Sequence, residues 1–418
     1  VVPAPTSSDP PTIPQSTSVA VDAVHFRQLC PWLRMFDLFR IAVDLQKLLL
    51  AVAALLLLWG GNWCILKLPF ATPQAIHLQS QVFTFGPTNP AQLSPARQAA
   101  PFGEPLGTGW RSWTRVLSPL DTVVRPVQIL FRGEASWSQL ALSWTQLLWA
   151  LAVWAVFAGA ITRIAAVQIG TDRNTGLMDA LKFSVRWFLS YFSTPLIPLS
   201  GIGLLWGLCL LAGLVGRIPT AGPWIVGACW GIVLLLGFLM ALTLVGLAVG
   251  WPLMFATISV EGSDAPDGLT RAYGYVFAKP VYYVLLVAIA VLSGVVATFL
   301  VFHLAGFAAY MADWGVTWGM GSNKILQNKL AAGWMSVLET FVVAFAHSYF
   351  WSAATMIYFL LRRSVDANPF HEVYLEEDPS DELLPWVEED QQSPTENSTL
   401  TSLTLPDKDA TGDANPPS

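Results

Sequence analysis

Three ionisable side chains lie inside long apolar stretches of this sequence, and their spacing is the first place to look for chemistry. His303 falls within the run 281–312, and Glu339 and His347 fall within the run 334–361. Charge inside an apolar span is costly, so such residues mark ion paths, proton relays or hydrogen-bonded ties between helices. Glu339 and His347 are eight residues apart, about 80° around a helix at ~100° per residue, so both can share one side. At ~1.5 Å per residue, His303 lies at a depth between theirs. Adjacent spans would bring the three together, with Ser348, Tyr349 and Ser352 adding hydroxyls nearby. The chemistry on offer is a proton or cation site. The competing reading is a packing tie between spans five and six, with Glu339 reaching the headgroups. That tie is preferred, because no second acid or interrupted helix accompanies the three.

Other chemistry is sparse. HExxH, GxSxG and GxxxxGK[ST] do not occur, and the glycine-bearing stretches Gly103–Gly109 and Gly319–Gly321 lack the strand-to-helix setting of a phosphate cradle. Cys30, Cys64, Cys209 and Cys229 are scattered, which suits small apolar packing residues better than a metal site or a disulfide framework. The expectation is therefore a chain that is not an enzyme, with no cofactor and no metal.

What must position the three residues is a membrane bundle. The 418 residues are 54% hydrophobic and 12% charged, with mean hydropathy +0.52, against about 25% charged in a soluble domain. Six runs exceed the ~20 residues that a bilayer core requires: 48–66, 138–162, 188–216, 224–250, 281–312 and 334–361. Pro195 and Pro198 predict a kink near the start of the third, and Gly250-Trp251-Pro252 is expected to end the fourth. Residues 1–23, rich in Pro, Ser and Thr, are expected to be disordered. More than forty residues precede the first run and no small-residue cleavage site follows it, which predicts a retained signal anchor.

Basic residues near the span ends set the orientation. One side carries Arg27, Arg34, Arg40, Lys47, Arg163, Arg173, Lys182, Arg186, Arg271, Lys279, Arg362 and Arg363; the short loops of the other carry Arg217, Lys324 and Lys329. Twelve against three predicts both termini in the cytoplasm. Amphipathic segments precede spans one, three and five. Before the third, Leu177, Leu181, Val185 and Phe188 oppose Asp179, Lys182 and Arg186, a pattern suited to a helix on the membrane surface. Before the fifth, Asp267, Leu269, Tyr273 and Val276 take similar places. Before the first, Trp32, Phe36, Phe39 and Val43 oppose Arg34, Asp37, Asp44 and Lys47. Three units of interfacial helix plus two spans follow, although identity between them is little more than Asp179-Ala-Leu181 against Asp267-Gly-Leu269.

The predicted fold is all-α: a polytopic transmembrane helical bundle of six spans, occupying 24–363, with cytoplasmic amphipathic interfacial helices before spans 1, 3 and 5. The extracytoplasmic loop 67–137 is expected to cap the outer face, with a short interfacial helix within Ser112–Arg132. Gly203/Gly207, Gly227/Gly231 and Gly246/Gly250 are spaced for close helix contact. Trp59, Trp63, Trp137, Trp187, Trp224, Trp251, Trp314, Trp318 and Trp334 sit near span ends, as an interfacial belt requires.

Residues 364–418 hold 14 Asp/Glu against Lys408 alone, a net −13 within an overall −6. A basic membrane body with an acidic, disordered cytoplasmic tail gives no support for nucleic-acid binding. Tyr374, Leu383, Leu384 and Trp386 would suit a short docking segment for a basic protein partner, with a purely solvating tail as the preferred alternative. The Asn397-Ser-Thr399 sequon in that tail is read as fortuitous.

Ala155–Gln168 (AVFAGAITRIAAVQ) and Glu261–Pro280 (EGSDAPDGLTRAYGYVFAKP) resemble an uncharacterised family of bacterial polytopic membrane proteins, over about 120–376. More loosely, the Asp-Ala-Leu segment before a span is similar to the non-catalytic membrane portion attached to some glycerophosphodiester phosphodiesterases. The resemblance implies a multi-pass bundle in the bacterial cytoplasmic (inner) membrane, and transfers no functional residue. The functional expectation is a non-enzymatic structural or assembly subunit whose partners are the lipid bilayer and a protein bound through the tail. The alternative is a small-solute or ion transporter using His303, Glu339 and His347.

Overall fold

The computed structural model describes residues 31–80, 116–133, 135–320 and 329–374. Among these the chain is 87% helical with no strands, and six helices are long and apolar enough to cross a membrane. A 3-10 turn (Pro31–Asp37) leads into the short α1 (Leu38–Ala42), followed by α2 (Leu45–Ile65), α3 (Pro73–Ser80) and α4 (Ser118–Leu130). Then come α5 (Trp137–Thr171), α6 (Leu177–Arg186), α7 (Phe188–Val215) and α8 (Ala221–Ala228). The chain continues through α9 (Trp230–Glu261), α10 (Ala265–Ala278), α11 (Pro280–Met320) and α12 (Lys329–Asp366). The six long helices are α2, α5, α7, α9, α11 and α12. The start of α2 meets the end of α5, the start of α7 meets the end of α9, and the ends of α9 and α12 meet each other. The long helices therefore alternate in direction, and the predicted basic side is one end of the bundle.

Local chemistry explains where these helices begin and end. Ser136 and Gln139 form a capping box at the start of α5, and Asp44 accepts from the Gln46 N–H at the start of α2. Asp172 and Gly262 end α5 and α9 in the left-handed region, at φ 53° and 61°, as Asp tolerates and Gly favours. One proline signal was misleading, since the stop expected at Gly250-Trp251-Pro252 does not occur. α7 runs through Pro195 and Pro198, and α9 continues nine residues beyond Pro252 to Glu261. Near the carbonyl that Pro252 leaves without a helical donor, Tyr283 donates to Val249 O at 2.9 Å. The continuation is also the best-packed part of α9, with Leu253 to Val260 all buried.

Burial is unequal along and between the helices. In α5 the most apolar window is 83% buried, against 6% in α9. α5 is the axis on which α2, α4, α6, α7, α9 and α12 pack. By contrast, most of 203–246 is exposed. Two of the three predicted glycine contacts fail for this reason. A Cβ added at Gly203, Gly207, Gly227 or Gly231 would meet nothing within 4 Å, whereas at Gly246 and Gly250 it would meet the Tyr273 ring at 3.1 and 3.3 Å. The close approach that matters is at Gly159, where an added Cβ would lie 2.3 Å from Ser184 Oγ and 2.9 Å from the Tyr191 ring. Gly159→Val is thus expected to cost about 1–3 kcal/mol by overpacking, while Gly203→Ala and Gly227→Ala leave thermal unfolding in detergent unchanged. Equal shifts from all three would contradict this packing.

The segments preceding the odd spans are helical, but their buried stripes differ from the apolar faces read in sequence. α6 buries Ala180, Phe183 and Ser184 against α5 and leaves Val185 59% exposed; Ser184 donates to Ala155 O and Val156 O at 2.8 and 2.6 Å. In the first segment Met35, Leu38 and Ala42 turn inward, Phe36, Phe39 and Val43 are exposed, and Lys47 is fully buried. Small residues set how closely two backbones approach, and that is independent of which face is most apolar.

Candidate functional site

Of the predicted intramembrane trio, His303 and His347 occupy different surroundings. His303 is exposed, with Nδ1 2.9 Å from its own helix's Phe299 O. His347 is buried, stacked on Trp154 at 5.2 Å, with Nδ1 2.9 Å from Val343 O. Glu339 is half-buried. The expected convergence of the three is thus corrected: rotation about α11 leaves His303 exposed while His347 is buried in the core. Residue counting gives depth and leaves that rotation undetermined.

His347 instead belongs to an aromatic centre. Trp351 lies 5.7 Å from Trp154, 5.3 Å from Trp251 and 5.0 Å from Phe255, and Tyr191 lies 5.0 Å from Phe255. Trp251, assigned by sequence to the interfacial belt, is 3% exposed and part of this core. α4 reaches the same level. Thr122 accepts from Trp154 Nε1 at 2.8 Å, near the midpoint of α5, and an added Cβ at Gly294 would meet Tyr349 at 2.5 Å and Val116 at 3.0 Å. The helix expected at the outer surface is therefore packed against α5 and α12. Such non-spanning backbone is stable only where protein surrounds it.

Two polar layers lie toward the basic end. In the first, Thr162 and Tyr191 share the Ser259 hydroxyl at 2.6 and 2.7 Å, and Arg163 donates to Ser259 O at 2.8 Å with its guanidinium 4.2 Å from the Phe183 ring centre. Arg163, read as the end of span two, is 5% exposed well inside α5. In the second layer, Glu261 forms ion pairs with Arg271 Nη1 at 2.5 Å and with Arg362 Nε at 3.2 Å, and accepts a hydrogen bond from the Tyr358 hydroxyl at 2.5 Å. Asp267 chelates Arg271 Nε at 3.0 and 2.9 Å. That hydrogen bond, with Glu261 beside it, holds the Arg271 pKa above the ordinary arginine value. Tyr275 donates to Asp366, and burial, then that carboxylate, pushes its hydroxyl above the usual tyrosine range. Glu261, Arg271, Tyr275, Tyr358, Arg362 and Asp366 thus form a lock holding α10 to the ends of α9 and α12.

The chain after α12 completes the lock. Arg362 donates to Glu372 O at 2.7 Å, Tyr374 N–H donates to Val260 O at 2.8 Å, and Phe370 lies under Arg34 at 4.2 Å. The packed body therefore extends to Tyr374, ten residues past the tail boundary expected at 364. Tyr374, one of the predicted docking residues, packs on Gly262; Leu383, Leu384 and Trp386 lie outside the described residues, as do residues 1–23.

Beside these layers a cavity of about 360 Å³ opens between the N-terminal segment and the end of α5. Arg34, Arg40, Asp37, Asp44 and Asp172 supply its charges, and Gln168 and Asn174 its amides. Behind it the buried Lys47 donates to Gln168 Oε1 at 2.6 Å, and Gln168 Nε2 donates to Asp44. Sequence reading placed Lys47 on a solvated face. The available signal was Gln168, a second polar residue at the closing end of a neighbouring span. No family model matches the chain, and the searches of curated proteins and of solved structures return no match either.

Proposed function

We infer that this is a non-enzymatic structural or assembly component of the bacterial cytoplasmic membrane, with both termini on the cytoplasmic side. The observation that supports this reading is how the ionisable groups of the core are spent. Glu261 is bound by two arginines and a tyrosine, Arg163 by a backbone carbonyl and a ring, and the space between α5, α9 and α12 is filled by Trp154, Trp251, Trp351 and Phe255. Groups committed to one another in this way hold helices in register, as a platform for other proteins requires. Reporter fusions after Asn174 and Gly262 are expected to read cytoplasmic, and purification in mild detergent is expected to retain a stoichiometric protein partner. An external reading at Asn174 would reject the orientation, and a chain that purifies alone at every salt concentration would reject the assembly role.

A second reading, transport of a small solute or ion, draws on α4. Its first turn ends near the midpoint of α5, and part-length helices of this kind build substrate sites in transporters. Saturable flux in proteoliposomes that is lost in His347→Asn, with folding intact, would favour it over the assembly role.

A further inference from the structure

The cavity between the N-terminal segment and the end of α5 has a pair of charges that the fold does not use. Arg34 is committed to Phe370, and Asp44 caps α2 and accepts from Gln168. Arg40 and Asp172 are different. Both are exposed, both line the cavity, and among the described residues neither side chain makes a hydrogen bond or ion pair, with each other or with anything else. One belongs to α1 and the other closes α5, so the cavity offers one positive and one negative group on separate walls. Gln168 is held by Lys47 and Asp44, while Asn174 adds an amide to the lining. The volume, about 360 Å³, is at the small end of ligand sites.

We propose that this cavity binds an aminoalkyl phosphate ester, with Arg40 taking the phosphate and Asp172 the ammonium group. A zwitterion satisfies both walls at once, whereas a simple anion or cation leaves one opposed. The position points to a phospholipid headgroup as the source. Phe36, Phe39 and Val43, beside Arg40, are 61%, 43% and 44% exposed, and an apolar face next to a basic residue at the start of a span is the arrangement of a segment lying in the headgroup region. The soluble ester shares the same chemistry.

Native mass spectrometry of the full chain in detergent tests this, with phosphatidylethanolamine and phosphatidylglycerol of identical acyl chains as probes. The ethanolamine lipid is expected to bind about tenfold tighter, the scale of one charge-assisted hydrogen bond. Asp172→Asn should abolish that preference, and Arg40→Gln should weaken both lipids. Both positions are exposed, so unfolding temperatures should match wild type. Should either variant fail to fold, competition in the wild-type chain decides. Displacement by glycerophosphoethanolamine at concentrations near those of the lipid would uphold the chemistry and assign a free ester; displacement only at far higher concentration would uphold it and assign the lipid. Equal binding of the two lipids to wild type, a preference that survives Asp172→Asn, or displacement by glycine but not by the ester would overturn the proposal.

Discussion

Glu261→Gln is expected to be among the most damaging single substitutions in this protein, at about 3–5 kcal/mol, because it strips the counter-charge from a buried arginine. The Arg362 and Glu261 side chains are 10% and 11% exposed. Among the described residues Arg362 has only Glu372, at 3.4 Å, as a further acidic partner, and that side chain is half exposed. Arg362→Gln should cost a comparable amount. Arg271→Gln should cost below about 1 kcal/mol, since that side chain is 46% exposed and its ion pairs are largely screened. The double variant Glu261→Gln/Arg362→Gln should cost clearly less than the two singles summed, because it leaves neither charge orphaned. Reversible unfolding in mixed micelles measures all four. An Arg271→Gln variant as unstable as Glu261→Gln would mean that the lock is a surface feature.

Trp351→Ala should be equally severe. Trp351 is fully buried among Trp154, Trp251, Phe255 and Phe350, and truncating such a residue costs about 3–5 kcal/mol in soluble cores. Lipid weakens the water-driven part of that figure but keeps the cavity part, since the lining rings still lose their contacts. Trp351→Phe isolates the packing contribution. The indole N–H has no hydrogen-bond partner among the described residues, so replacing it with a smaller ring forfeits no bond and should recover most of the stability. If Phe and Ala prove equally destabilising, the ring stack is not what supports this region.

The six long helices could be read in the sequence because each contains an uninterrupted apolar run longer than a bilayer needs. Both ends of α7 were legible to within a residue, but the start of α2 and the ends of α5 and α9 were not, for a consistent reason. Arg163, Lys47 and Glu261 look like terminators by composition, yet each is accommodated within a helix by a group distant in sequence: Ser259, Gln168 and Arg362. The two stretches 155–168 and 261–280 stood out in the sequence and carry most of these ties, through Thr162, Arg163, Gln168, Glu261, Asp267, Arg271 and Tyr275. What they bind to was hidden, since it lies on other helices. α4 was legible as a short helix within Ser112–Arg132, but its insertion was hidden. Pro119, Asp121, Arg125 and Pro126 give it the composition of a surface segment, and only its hydrogen bond with Trp154 and its packing on α5 and α12 place it inside.

The length of α11 has a further consequence. A helix of 41 residues is about 60 Å long, roughly twice the ~30 Å hydrocarbon core. Its start is tied to the end of α12 by Lys279, which donates to Ser364 O, and Trp314 and Trp318 are exposed toward its other end. α12, at 38 residues, shares the excess. The result is positive hydrophobic mismatch. The pair must lean or the surrounding lipid must stretch, and the cost of either response changes with acyl-chain length. The resting geometry of this bundle is therefore set in part by the thickness of the membrane that holds it.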